Sequence, residues 1–123
     1  MKYIITILFI TCYFTTISAQ IAKDTNLPQS TPIQDVQTIE LHTDKVSRSM
    51  VVFAPSGFNK QRMGAPTREQ IMVLEGKAQF IFEDKIVEAS TGTYLVIPAN
   101  TEHRVEVSGE KHLKLLVIQD APE

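Results

Sequence analysis

His103 is the residue in this chain best placed to do chemistry. It closes the segment 92–103, Gly-Thr-Tyr-Leu-Val-Ile-Pro-Ala-Asn-Thr-Glu-His. A glycine turn enters a short apolar strand, Pro98 ends that strand, a tight turn follows, and the histidine opens the next strand. In a small barrel this order aims one imidazole at the enclosed space. An imidazole changes charge near neutral pH and serves as a general base or a metal ligand. Thiolate chemistry has no such support. The single cysteine, Cys12, lies in the N-terminal apolar segment, so a chain processed after that segment carries no thiol and no disulfide.

The elements that must position His103 are short and β-like. Weak alternation over 38–42 is followed by an apolar-rich run over 47–54 and the turn signal Pro55-Ser56-Gly57. Residues 59–67 read as polar and irregular. Strands are expected over 69–74, 78–82, 86–89, 94–97, 103–107 and 113–119, divided by glycine and charged turns. No stretch has a helical period. Met72-Val73-Leu74 and Leu115-Leu116-Val117-Ile118 are apolar on successive residues, so both faces of those strands should be buried, one inside a barrel and one against a second layer. The expected fold class is all-β, a single jelly-roll barrel.

The chain has 123 residues, enough for one domain and one core. Residues 1–19 read as a secretory signal peptide: Lys2 gives a positive start, an apolar run follows, and small residues lead to a cleavage point between Ala19 and Gln20. The apolar run is shorter than the roughly 20 residues of a spanning helix. Residues 20–34 are polar, contain Pro28 and Pro32, and read as a flexible N-terminal arm before a domain over 35–123. The expected location is secreted or periplasmic, with no membrane attachment after cleavage. The formal net charge is −2, and no basic stripe or RNA-binding aromatic motif is present, which argues against nucleic acid as a partner.

Residues 57–107 resemble the two-motif core of the cupin family, the double-stranded β-helix barrels. The family's first motif is glycine, five residues, His-any-His, three or four residues, glutamate, six residues, glycine. Gly57, Glu69 and Gly76 keep that spacing, while Met63 and Ala65 stand where the two histidines would be. The second motif is glycine, five residues, Pro-any-Gly, two residues, histidine, three residues, asparagine. Its counterparts are Gly92, Pro98, Asn100, His103 and Val107.

In metal-binding cupins the two histidines, the glutamate and the later histidine hold one divalent ion. Carried over by position, only Glu69 and His103 remain as metal ligands, below the three protein ligands usual for catalytic zinc or non-haem iron. A resident divalent metal would need a further ligand such as His42 or His112; the expectation is no cofactor. Without metal, Glu69 and His103 could contact each other as a carboxylate–imidazole pair, either a catalytic base or a satisfied structural pair. Arg62 and Arg68 flank the altered motif and could favour an anionic ligand at the barrel mouth, or stand as solvated loop arginines. The resemblance also puts Gln79 and Tyr94 on strands that line the cupin interior, either as further ligand-binding candidates or as outward-facing side chains. These readings converge on an exported, metal-poor binding module for a small polar or anionic ligand. The alternative is an enzyme, either a metal-free isomerase or epimerase using Glu69 and His103, or a metal-dependent oxygenase with an unusual ligand set. A barrel serving assembly is a third reading, and the resemblance implies a homodimer.

Overall fold

A computed structural model describes residues 23–26 and 33–121. The expected signal peptide, and with it Cys12, lies outside the described residues, as does most of the expected arm. Among the described residues nine strands run in chain order: β1 (Gln37–Thr43), β2 (Ser47–Ala54), β3 (Asn59–Arg62), β4 (Glu69–Glu75), β5 (Lys77–Ile81), β6 (Ile86–Ser90), β7 (Tyr94–Ile97), β8 (His103–Ser108) and β9 (Leu113–Asp120). They form two sheets, β1-β2-β9-β4-β7 and β3-β8-β5-β6, with every pairing antiparallel. Among the described residues there is no helix. The fold is the all-β double-sheet barrel expected from the sequence.

Eight strands fall where hydrophobic pattern and turn signals put them. The ninth, β3, lies in the stretch whose sequence looks irregular. All four of its residues, Asn59-Lys60-Gln61-Arg62, are exposed polar side chains. It is an edge strand held by the backbone ladder to β8, from Asn59 opposite Glu106 to Arg62 opposite His103. A ladder of main-chain hydrogen bonds needs no apolar side chain, so no hydrophobic periodicity announces it.

The interior follows from alternation. Met50, Val52 and Ala54 of β2, Ile71 and Val73 of β4, and Leu113, Leu115 and Val117 of β9 point inward from the larger sheet. Ala78, Phe80, Val105 and Val107 meet them from the smaller one. The larger sheet also has an apolar outer face, as the double apolar runs required. Val51 and Phe53 are buried there, beside half-buried Leu116 and Met72. On that face Lys114 lays its ammonium over the Phe53 ring, 5.5 Å from the centroid, and donates a hydrogen bond to Asn26 Oδ1 at 3.4 Å. Asn26 belongs to the expected arm, so this one residue of it touches the second face.

Two contacts tie the loops at one end of the barrel. Gly64, between β3 and β4, lies so close to the Asn100–Thr101 backbone that a Cβ would stand 2.3 Å from the Thr101 nitrogen. Beside it, the Asn100 N–H donates to the Ala65 carbonyl at 2.7 Å. Asn100 takes a left-handed backbone, φ 59°, which asparagine tolerates better than most residues. The β3–β4 and β7–β8 loops are thus clamped together.

Candidate functional site

The starts of β4 and β8 and the ends of β3 and β9 meet at the clamped end. Each brings one polar residue to a cavity of about 180 Å³ between the sheets: Glu69, His103, Arg62 and Gln119. Glu69 and Gln119 are register partners across β4 and β9 on the larger sheet, and Arg62 and His103 are partners across β3 and β8 on the smaller one. Partners in register share a face, so the two pairs look at each other across the interior. Apolar side chains, including Ile71, Phe80 and Leu115, close the cavity from the core side.

His103 is buried, with 5% of its surface exposed. Its Nδ1 lies 3.1 Å from the Thr101 carbonyl oxygen, so Nδ1 carries the hydrogen and donates it. The Phe80 and Phe82 rings flank the imidazole, with centroids 6.4 Å and 5.7 Å away. Ring contacts and one hydrogen bond together fix the orientation of the imidazole. Glu69 Oε2 accepts a hydrogen bond from Gln119 Nε2 at 3.0 Å. The direct Glu69–His103 pair that the sequence allows is not formed: the carboxylate turns to its ladder partner and the imidazole to its own turn.

The other candidates stand elsewhere. Arg68 precedes Glu69, faces the opposite way by alternation, and pairs with Asp120 at 3.0 Å. Gln79 donates to Glu88 at 2.6 Å on the outer face of the smaller sheet. The Tyr94 hydroxyl donates to Gln70 at 2.9 Å on the outer face of the larger sheet. Arg68, Gln79 and Tyr94 therefore point away from the cavity, and Arg62 alone of the four ligand-binding candidates reaches it. Gln119 is a site residue that the motifs do not mark. Its signal is parity: it falls on the inward series Leu113, Leu115, Val117, where a polar side chain is the exception. A wider groove of about 1220 Å³ runs between the β5–β6 turn and the β7–β8 loop, but it is open to solvent and its lining includes neither Glu69 nor His103.

The cupin domain profile matches residues 49–119, more than half of the chain. The chain belongs to the cupin family. No curated protein matches it by sequence. Among solved structures, this cupin is similar to a cupin superfamily protein from Desulfitobacterium hafniense, at 20% identity over 82% of this chain and 100% of that one, with a TM-score of 0.62. It is also similar to the cupin domain of an XRE family transcriptional regulator from Enterobacter cloacae, at 12% identity over 73% of this chain and 100% of that one, with a TM-score of 0.65. A third is the DMSP lyase DddQ from Ruegeria pomeroyi, at 18% identity over 71% of this chain and 47% of that one, with a TM-score of 0.64. A regulator domain and a lyase on one framework show the fold alone, since a fold does not carry a function with it.

Against the cupin metal motif, the donor set of this chain is reduced. Ala65 has no donor, and Met63 offers a thioether at the rim with 76% of its surface exposed. Of the family's four ligand positions, only Glu69 and His103 carry oxygen or nitrogen. Among the described residues no three of His, Cys, Asp and Glu come together. His42 pairs with Asp44 at 2.9 Å and His112 with Glu75 at 3.2 Å, both away from the cavity.

Proposed function

We propose that this cupin is a binding module that holds a small polar or anionic ligand in the cavity between Glu69, Gln119, His103 and Arg62, using side-chain hydrogen bonds in place of a metal. One observation carries the reading: Glu69, His103, Arg62 and Gln119, from four strands, converge with Thr38 of β1 on one interior cavity in an otherwise apolar barrel. Apolar pockets with a few convergent polar groups are the usual form of a small-molecule site. The size is consistent with a small ligand. At roughly 30 Å³ per water the cavity takes the place of about six waters.

A metal-free isomerase would draw on the same residues, but it asks for a carboxylate coupled to the imidazole, and Glu69 is engaged by Gln119. Binding is therefore the favoured reading. The pattern of residues 1–19 supports a place of action outside the cytoplasm.

The test is a ligand panel read by thermal shift and by NMR shifts of the cavity residues. Small polyols, amino acids, hydroxy acids and inorganic anions are each added with and without EDTA. One class should raise the melting temperature and move the His103 signals, unaffected by EDTA. Binding that vanishes with EDTA and returns with a divalent ion would sink the metal-poor reading. Silence across the whole panel would sink the binding reading.

A further inference from the structure

Given a binding module, on which this inference rests, three features of the cavity narrow its ligand further. The first is the tautomer of His103. A carbonyl oxygen can only accept, so the 3.1 Å contact to Thr101 holds the hydrogen on Nδ1 and leaves Nε2 of the neutral ring as a bare acceptor. Nε2 has no partner among the described residues. Yet no buried side-chain nitrogen or oxygen among them is left without a partner. Nε2 is therefore not sealed in the core; it opens on the cavity that His103 lines.

The second feature is the opposite wall. A carboxylate also only accepts, so the Gln119 amide nitrogen must be the atom facing Glu69 Oε2. Glu69 Oε1 and the Gln119 amide oxygen are then left as acceptors. The inner part of the site offers acceptors, one of them charged, and a ligand group placed there must bring hydrogens.

The third feature is Arg62. It shares the inward face with His103 through the β3–β8 register, and it is exposed at the cavity mouth. Guanidinium only donates and is always charged. Arg62 and Glu69 sit on facing sheets, which pack about 10 Å apart, and they form no ion pair with each other. The site therefore presents an anion inside and a cation outside, with room between for only a few heavy atoms.

We infer that the ligand is a small α-amino acid bound as its zwitterion, with the ammonium directed to Glu69 and His103 Nε2 and the carboxylate to Arg62. A simple anion satisfies Arg62 but leaves the inner acceptors without hydrogens. A quaternary amine carries the right charge inward but has no N–H to give. An unpaired acceptor in such a site costs about tenfold or more in affinity.

Four probes of nearly one size separate the possibilities by calorimetric titration: alanine, lactate, propionate and isopropylamine. Alanine should bind at least tenfold tighter than the other three. Arg62→Gln should weaken alanine and propionate but not isopropylamine. Glu69→Gln, which keeps an acceptor for Gln119, should weaken alanine and isopropylamine but not propionate. Circular dichroism establishes that both variants keep the native fold. Lactate binding as tightly as alanine would overturn the ammonium assignment, and propionate doing so would overturn the acceptor argument; in both cases the binding module stands. Silence of all four probes, with another class from the wider panel binding, overturns this inference alone. Long-range ¹H–¹⁵N spectra of the imidazole give a ligand-free check: a hydrogen on Nε2 instead of Nδ1 at neutral pH would also overturn it.

Discussion

The two ends of the barrel interior are built from the same strands and do opposite things. At one end, β4, β8 and β9 contribute Val73, Val107 and Leu113, all buried in the core cluster. At the other end the same three strands contribute Glu69, His103 and Gln119, which line a cavity. β9 runs antiparallel to β4, so the last inward residue of one meets the first inward residue of the other. One end stabilises the fold by excluding water. The other gives up packing to keep polar groups accessible. A barrel this small can hold such a cavity because the opposite end is closely packed.

The contrast can be tested from either side. Leu113 is fully buried, so Leu113→Ala should show the largest effect, a loss of about 2–5 kcal/mol in urea unfolding. Gly64→Ala comes next. Its methyl would meet the Asn100–Thr101 backbone, which cannot yield as a side-chain tip can. We expect a loss of about 1–3 kcal/mol, with displaced His103 NMR signals because the turn that orients the imidazole is pushed. Glu69→Leu should change stability by no more than about 1 kcal/mol while abolishing ligand binding, since it exchanges one hydrogen bond for apolar contact. If Glu69→Leu proved as costly as Leu113→Ala, the polar end would be a structural element and the contrast would collapse.

The smallest effect belongs to the β1–β2 turn, which adjoins the end of β9 but sends Asp44 away from the cavity lining. The Ser47 amide, the His42 side chain and the Val46 amide hold the Asp44 carboxyl below its ordinary 3.8, at about 2. A depressed folded value means stability present above the ordinary value and lost as pH falls from 3.8 toward about 2. Asp44→Ala should flatten that part of the urea-midpoint profile and leave ligand binding unchanged.

How far the sequence can be read depends on which physical signal each residue carries. Strands β2 and β7 are legible to the residue, because apolar runs bounded by turn residues announce themselves. β3 is not, because a backbone ladder leaves no trace in side-chain polarity. Glu69 and His103 are legible through motif spacing, and Arg62 through its place beside the altered motif. Arg68, Gln79 and Tyr94 are misplaced relative to the cavity for one reason: a neighbouring residue on a strand faces the other way, and the choice of face rests on exact register. Gln119 is visible only as a break in an inward apolar series.

What the sequence determined by itself was the class of fold, most strand positions and the loss of the two motif histidines. These are local properties of pattern, turn chemistry and spacing. Tertiary structure alone decided that Glu69 bonds to Gln119, fifty positions away, and that the Thr101 carbonyl sets the tautomer of His103. It also decided that Arg62 shares its face with the imidazole. Hydrogen-bond partners depend on distances and angles between strands remote in sequence, and those exist only once the sheets have closed on each other.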